Sequence, residues 1–431
     1  MAKPMKLLIK KGRIIDPSQG IDQIGDLLVE EGIIKGIADD IPSDQYTKVF
    51  WAEEKWVLPG LVDIHVHLRD PGQEWKEDIE TGTKAALYGG VLRVACMPNT
   101  VPPNDTPEIT SYILKKAEEK GYVKVYPIGC ITKGQKGEEL TEFGRLKEAG
   151  IVAVSDDGKW VANSEVMKRA LLYAKQFNLA VISHCEDPTL SQGGQINEGF
   201  FSAKLGLKGI PWSAEVAAVV RDLLLAKETG QPVHLAHLSC KEVIPFLRWA
   251  KEEDIPFTAE TCPHYFSLTE KEVEGYNTLA KVNPPLRKEE DVLAIKEALK
   301  EGLIQVIASD HAPHSVLEKE IEFSLASPGM IGLQTLLPLS LNLVKEGWLN
   351  PLKLTECLIT NPAKVINVEP PSLKPGKKAE FIVFDPNKTY VLGPDIIQSK
   401  SKNTPFLNKE LKGITVLAVI GEKIWELNWA V

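Results

Sequence analysis

Between residues 58 and 310 the chain carries eight short apolar runs separated by stretches of helical periodicity, and this alternation constrains the fold more than any other feature. The first run is built on Leu58, Leu61, Val62 and Ile64 around Gly60; the others are 91–97, 122–128, 151–155, 179–184, 232–237, 256–260 and 304–310. Strands alternating with helices are the signature of βα units on a parallel sheet. Helix starts fall between the runs: Thr106-Pro107 has an N-cap followed by proline at the first helical position, and Ser239-Cys240-Lys241-Glu242 has capping-box spacing. Eight alternations predict an α/β fold of the (β/α)8 TIM-barrel type. The alternative, a doubly wound open sheet, lacks its Gly-x-Gly-x-x-Gly turn.

The flanks read differently. Segments 6–10, 13–16, 26–30 and 32–37 are short strands punctuated by Gly12, Gly20, Gly25 and Gly32, and 379–385 and 414–420 repeat that style at the other end. The expected organisation is a barrel over 57–365 beside a small β-sandwich built from both chain ends, 1–56 and 366–431.

Composition narrows the function. A formal charge of −9 and a pI near 5.6 argue against nucleic acid or an anionic membrane as partner. No apolar stretch reaches the ~18 residues of a membrane span, and the N-terminus lacks a signal peptide's apolar segment, so a cytoplasmic location is expected. Six widely spaced cysteines without a Cys-x-x-Cys pair read as buried thiols. All eight histidines lie between His65 and His314, which confines metal or acid–base chemistry to the middle segment.

Within that segment the polar candidates fall at strand ends. His65 and His67, two apart, share one face of the first strand, and Arg69 follows. Asn99 follows the second strand and Asp157 the fourth; His184 ends the fifth, His237 the sixth and Asp310 the eighth. In a barrel these ends converge on one mouth. Four histidines and two carboxylates there suit one or two divalent ions, with zinc favoured by the nitrogen-rich set. Asp157, in Ser155-Asp156-Asp157-Gly158, could instead be a turn residue. His234 is expected on the opposite strand face, His264 either behind the metal ligands or, in preference, as a satisfied structural histidine, His311 facing away from the mouth, and His314 reaching it as a hydrogen-bond donor.

Four segments carry a family resemblance: Asp63-Ile64-His65-Val66-His67-Leu68-Arg69-Asp70-Pro71-Gly72, Met97-Pro98-Asn99-Thr100, Val282-Asn283-Pro284-Pro285-Leu286-Arg287 and Ser309-Asp310-His311-Ala312-Pro313-His314. Together they resemble bacterial dihydroorotases of the amidohydrolase superfamily. The resemblance implies reversible interconversion of N-carbamoyl-L-aspartate and L-dihydroorotate in pyrimidine synthesis. It implies one zinc among His65, His67, Asp157 and Asp310 and a second, weaker one among Asp157, His184 and His237. Asp157 would stand where many superfamily members use a carboxylated lysine. Arg69, Asn99, Asn283 and His314 would hold the substrate, with backbone groups near Pro328 and Gly329, and Asp310 would shuttle the proton. Some members associate with aspartate transcarbamoylase, which adds that complex to the expectations. The segment 315–330 departs from the family wording. The rivals are another cyclic-amide hydrolase, such as a hydantoinase or allantoinase, and a non-catalytic scaffold. Arg69 and Asn99 argue against the first, the intact ligand set against the second.

Overall fold

The computed structural model describes residues 6–429. Eight parallel strands form the central sheet: Leu61–Val66, Val91–Cys96, Lys124–Gly129, Ala153–Ser155, Ala180–Ser183, Val233–Leu235, Phe257–Thr261 and Val306–Ile307. Each pairs with the next in sequence order. The barrel closes where Val66 bridges His311 and the His67 N–H donates to the His311 carbonyl at 2.9 Å. Helices such as Ile79–Gly89, Pro107–Lys120, Ser164–Gln176 and Ser213–Thr229 bury one face against the strands. Inside, Met97, Ile182 and Ala308 belong to a smaller apolar cluster. They stand two residues before Asn99, His184 and Asp310, so the strand period that aims those polar residues inward also builds the floor beneath them.

The two chain ends share one eight-stranded sheet. Trp56–Pro59 is its seam: it runs parallel to Lys6–Asp16 and antiparallel to Glu380–Val391, with Val57 opposite Val383. Leu7, Ile9, Ile14, Leu27, Val29, Phe381, Val383, Leu417 and Val419 pack into a core of their own. The chain passes from this seam through Gly60 into the first barrel strand. Arg93 then ties barrel to sheet through a bidentate pair with Glu380, 2.5 and 2.8 Å. Among the described residues no helix is long and apolar enough to cross a membrane, and all six cysteines are buried free thiols.

One local expectation fails. Pro107 does open its helix, but Ser239 forms no capping box: its N–H and hydroxyl go to the buried Glu215 carboxylate, and Cys240 occupies the cap position of a short 3-10 turn. Glu215 is paired with Arg287, so the arginine of the Asn283-to-Arg287 segment serves to pin the loop after the sixth strand rather than to reach the mouth.

Candidate active site

The strand ends bring all six ligand candidates together. Asp157 faces all four imidazoles. Its Oδ1 lies 3.3 Å from His65 Nε2, 3.5 Å from His184 Nδ1 and 3.8 Å from His237 Nε2, and its Oδ2 lies 3.5 Å from His67 Nε2. Asp310 Oδ1 faces one half of the cluster, 3.2 Å from His67 Nε2 and 3.5 Å from His65 Nε2. In the other half His237 Nε2 and His184 Nδ1 are 2.8 Å apart. Asp157 sits at the end of a three-residue strand, where Gly158 takes φ +80° and lets the chain turn away. Asp157 does sit in the turn, at its centre with Gly158 and closed by the Lys159 N–H on the Asp156 carbonyl, yet its side chain faces the cluster, whereas Asp156 points elsewhere and binds the Ile131 and Thr132 amides.

The electrostatics ask for a cation. Burial alone would push His65 and His184 toward neutrality. Asp157, with Glu260 and Asp310 beside His65, instead raises both above the usual imidazole range. Burial would raise Asp157 and Asp310, but the facing imidazoles hold both below the usual carboxylate range. His65 Nε2 and Asp157 Oδ1 are buried with no hydrogen-bond partner. Among the described residues the ligand atoms of His65, His67 and Asp310, and of His65, Asp157 and His237, lie within 4.8 Å of one another. Convergent donors, two carboxylates set among four imidazoles and unspent lone pairs fit a bound divalent metal.

The cluster forms part of the wall of a cavity of about 220 Å³, which Arg69, Asn99, Asn283, His314, Pro328 and Gly329 also line. Arg69 is held by Nε on the Pro313 carbonyl, 3.2 Å, and by Nη2 near His314 Nε2, 3.4 Å, so the rest of its fork is open to a ligand. Burial lowers it to about 10, which leaves it cationic at neutral pH. Burial and the charges of Arg69, Lys319 and Lys76 drive His314 far toward the neutral form, and its Nδ1 has no partner. Asn99 Oδ1 accepts from His67 Nδ1 at 2.8 Å, which leaves its amide N–H groups available. Asn283 donates to Glu186 at 3.0 Å. Gly329 lines the cavity, but its N–H goes to the Lys281 carbonyl and its carbonyl accepts from Asn403. Its backbone therefore already serves to hold the loop. At φ +132° a Cβ there would come within 3.0 Å of His314 Nε2, so only glycine lets this wall approach.

Three features escaped the sequence reading. Glu260, on the seventh strand, lies 2.5 Å from His65 Nδ1. His264 is not a satisfied structural histidine: it is buried, its Nε2 is unpartnered beside Cys262 and Asp310, and burial lowers it to about 4. Lys281 and Lys319 are buried as well. Lys319 Nζ donates to the carbonyls of Thr278, Lys281 and Ser327, and Lys281 Nζ to those of Phe323 and Ser324, and these bonds fix the mouth loop. Lysines read as surface residues unless their partners are known, and here the partners are backbone carbonyls together with the Gln195 side chain, whose Oε1 accepts from Lys281 Nζ at 2.5 Å.

The fold and family comparisons answer different questions. The structure is similar to the L-hydantoinase (dihydropyrimidinase) of Arthrobacter aurescens, with a TM-score of 0.87 at 24% identity over 99% of this chain and 97% of that one. That likeness shows a TIM barrel with an added sheet domain. A family model described as Dihydro-orotase-like matches residues 54–243. A dihydroorotase of Geobacter metallireducens is 53% identical over 97% of this chain and 99% of its own, and one of Acetivibrio thermocellus is 49% identical over 97% and 98%. Identity of that order across nearly the whole length decides the matter: the chain belongs to the dihydroorotase family.

Proposed function

We propose that this chain is a metal-dependent dihydroorotase that interconverts L-dihydroorotate and N-carbamoyl-L-aspartate at the barrel mouth. The observation that carries the reading is one cavity shared by a histidine–carboxylate cluster with unspent ligand atoms and an anchored, open guanidinium fork. His65, His67, Asp157 and Asp310 would hold one divalent ion, and Asp157, His184 and His237 a second. Zinc suits the imidazole-rich set. Bound metal supplies Lewis acidity and makes water a nucleophile at neutral pH.

The residues supply the rest. Arg69 clasps the substrate carboxylate with its remaining donors, and neutral His314 and Asn99 add hydrogen bonds beside it. In ring opening, water adds to the ring amide carbonyl carbon, Asp310 accepts its proton, the C–N bond breaks, and Asp310 delivers the proton to the departing ring nitrogen. In ring closure Asp310 starts protonated, so closure is favoured at lower pH and opening at higher pH. Because Asp157 faces all four imidazoles while Asp310 faces only His65 and His67, the first site is the tighter and the second the weaker.

A hydantoin-type hydrolase shares the fold, but it has no need of a buried arginine for a substrate carboxylate. The test is to assay the purified protein on dihydroorotate and on an unsubstituted hydantoin while counting bound zinc by elemental analysis. Ring opening of dihydroorotate by zinc-loaded protein is expected. Turnover of the hydantoin alone would reverse the assignment. A substrate from pyrimidine synthesis suits a cytoplasmic enzyme, and the complex with aspartate transcarbamoylase would be read as co-elution of the two purified proteins.

A further inference from the structure

Glu260 occupies a place that stability does not explain. It is fully buried in the barrel interior, and among the described residues no lysine or arginine is paired with it. Its Oε1 lies 2.5 Å from His65 Nδ1 and accepts the backbone N–H of His237 at 3.3 Å. Its Oε2 lies 3.0 Å from His234 Nε2. His234 is buried in turn, and its Nδ1 meets Thr258 Oγ1 at 2.7 Å, at the end of the barrel away from the mouth. One carboxylate thus joins the first, sixth and seventh strands, and it crosses over the eighth strand to reach His65. A buried carboxylate that has only imidazoles and a backbone N–H for partners is a costly choice, and a well-packed apolar residue would be cheaper.

The return lies at His65. In the neutral form that a metal ligand must take, a ring that donates from Nδ1 to a carboxylate carries its lone pair on Nε2, and Nε2 is the atom that faces Asp157 and Asp310 with no hydrogen-bond partner. Metal-binding imidazoles are generally oriented and made more basic by such a carboxylate. The His237 contact adds a second hold. That residue has φ +39°, so the carboxylate accepts a hydrogen bond from a backbone bent into the left-handed region.

We propose that Glu260 is a positioning residue of the metal centre: it fixes the His65 tautomer and ring plane and steadies the turn that presents His237, while His234, reached from the far end of the barrel, keeps the Glu260 carboxylate from rotating. The assignment rests on the reading that His65 binds metal.

The test uses the full chain stripped of metal and titrated with cobalt(II), followed by its visible absorption, with thermal unfolding of the metal-free protein measured in parallel. Wild type should bind. Glu260→Gln should bind about 10–100-fold more weakly with an altered cobalt spectrum, a loss larger than any accompanying fall in the stability of its metal-free form. His234→Gln, which leaves Glu260 in place but frees one oxygen, should shift affinity in the same direction by less, and it serves as the test if Glu260→Gln does not fold. Wild-type cobalt affinity and spectrum in the folded variants would overturn the assignment. So would a loss of binding matched by an equal loss of metal-free stability, because that is what a merely structural carboxylate would give. Failure of wild type itself to take up cobalt would instead overturn the metal reading on which the assignment depends.

Discussion

The barrel has a cavity at each end, and the larger one is not the one that holds the histidine–carboxylate cluster. The far cavity, about 310 Å³, is lined by His234, Gln231, Gln305, Asn361 and Asn367 among others, against about 220 Å³ at the mouth. The far-end groups are spent. Gln231 donates to the Leu179 carbonyl, Asn361 to that of Gln305, Asn367 to that of Asn178, and both His234 nitrogens are engaged. At the mouth His65, Asp157, His237, His264 and His314 each keep a buried atom without a partner. Each such group costs about 1–3 kcal/mol, so a chain selected for stability alone would not gather several in one place. Backbone strain follows the same division: Arg69 (φ +59°), His237 and Asp310 adopt left-handed conformations at the mouth, whereas at the far end that role falls to Asn178 and Asn367. Asparagine tolerates the region and arginine does not. Unspent hydrogen-bonding capacity, more than volume, marks the site.

The sharpest way to break this contrast is at Asp310. Asp310→Asn keeps the shape but cannot hold the transferred proton, so kcat should fall about 10²–10⁴-fold while the circular-dichroism spectrum and unfolding temperature stay close to wild type. Near wild-type turnover would leave the mouth's carboxylate without its assigned work. Next in size is Asp157→Ala, which removes the carboxylate facing all four imidazoles. Metal analysis after dialysis should show the His184–His237 half empty, with activity reduced accordingly. Wild-type loading should not respond to added bicarbonate, since an aspartate is already anionic at neutral pH (reference pKa about 3.9). Bicarbonate-dependent loading would mean that another residue bridges.

How much of this was legible in the sequence follows from what each signal depends on. Parallel barrel strands are covered on both faces, so each shows as a continuous apolar run, and the last polar residue of each run lands at the mouth by topology alone. His65, His67, Asp157, His184, His237 and Asp310 could therefore be gathered without knowing any contact. Glu260 could not. It ends a recognised strand, but its meaning depends on His65, 195 positions away and reachable only once the barrel closes. Ser239 shows the opposite error, where local spacing suited a capping box but Glu215 claimed the side chain. The period-2 segments at the ends revealed strands but not their pairing, because no local signal says that Trp56–Pro59 lies between Lys6–Asp16 and Glu380–Val391.

Arg69→Lys should have an intermediate effect. The charge remains, but the fork anchored on Pro313 does not, and losing charge-assisted hydrogen bonds worth about 1.5–3 kcal/mol should cut kcat/KM for dihydroorotate about 10–100-fold. A cyclic amide without the carboxylate should lose far less. Comparing the two substrates on one variant separates a carboxylate clamp from general damage to the mouth, and equal losses would count against the clamp.

The smallest effect is expected at the far end, where the contrast predicts almost nothing. Asn361 lines the larger cavity, and its side chain satisfies the Gln305 carbonyl at 2.9 Å. Asn361→Ala removes that bond and widens the cavity without touching the metal cluster, the Arg69 fork or the Glu260 link. One hydrogen bond is worth about 1 kcal/mol, so thermal unfolding should begin slightly lower. Both kcat and KM should stay within experimental error of wild type, and so should cobalt affinity. A far-end cavity that served as a second ligand site would behave otherwise, because enlarging it would disturb an occupant and carry that change toward His65. If Asn361→Ala lowered turnover while its unfolding temperature stayed near wild type, the division between a spent end and an unspent end would fail, and the far cavity would have to be counted as part of the working molecule.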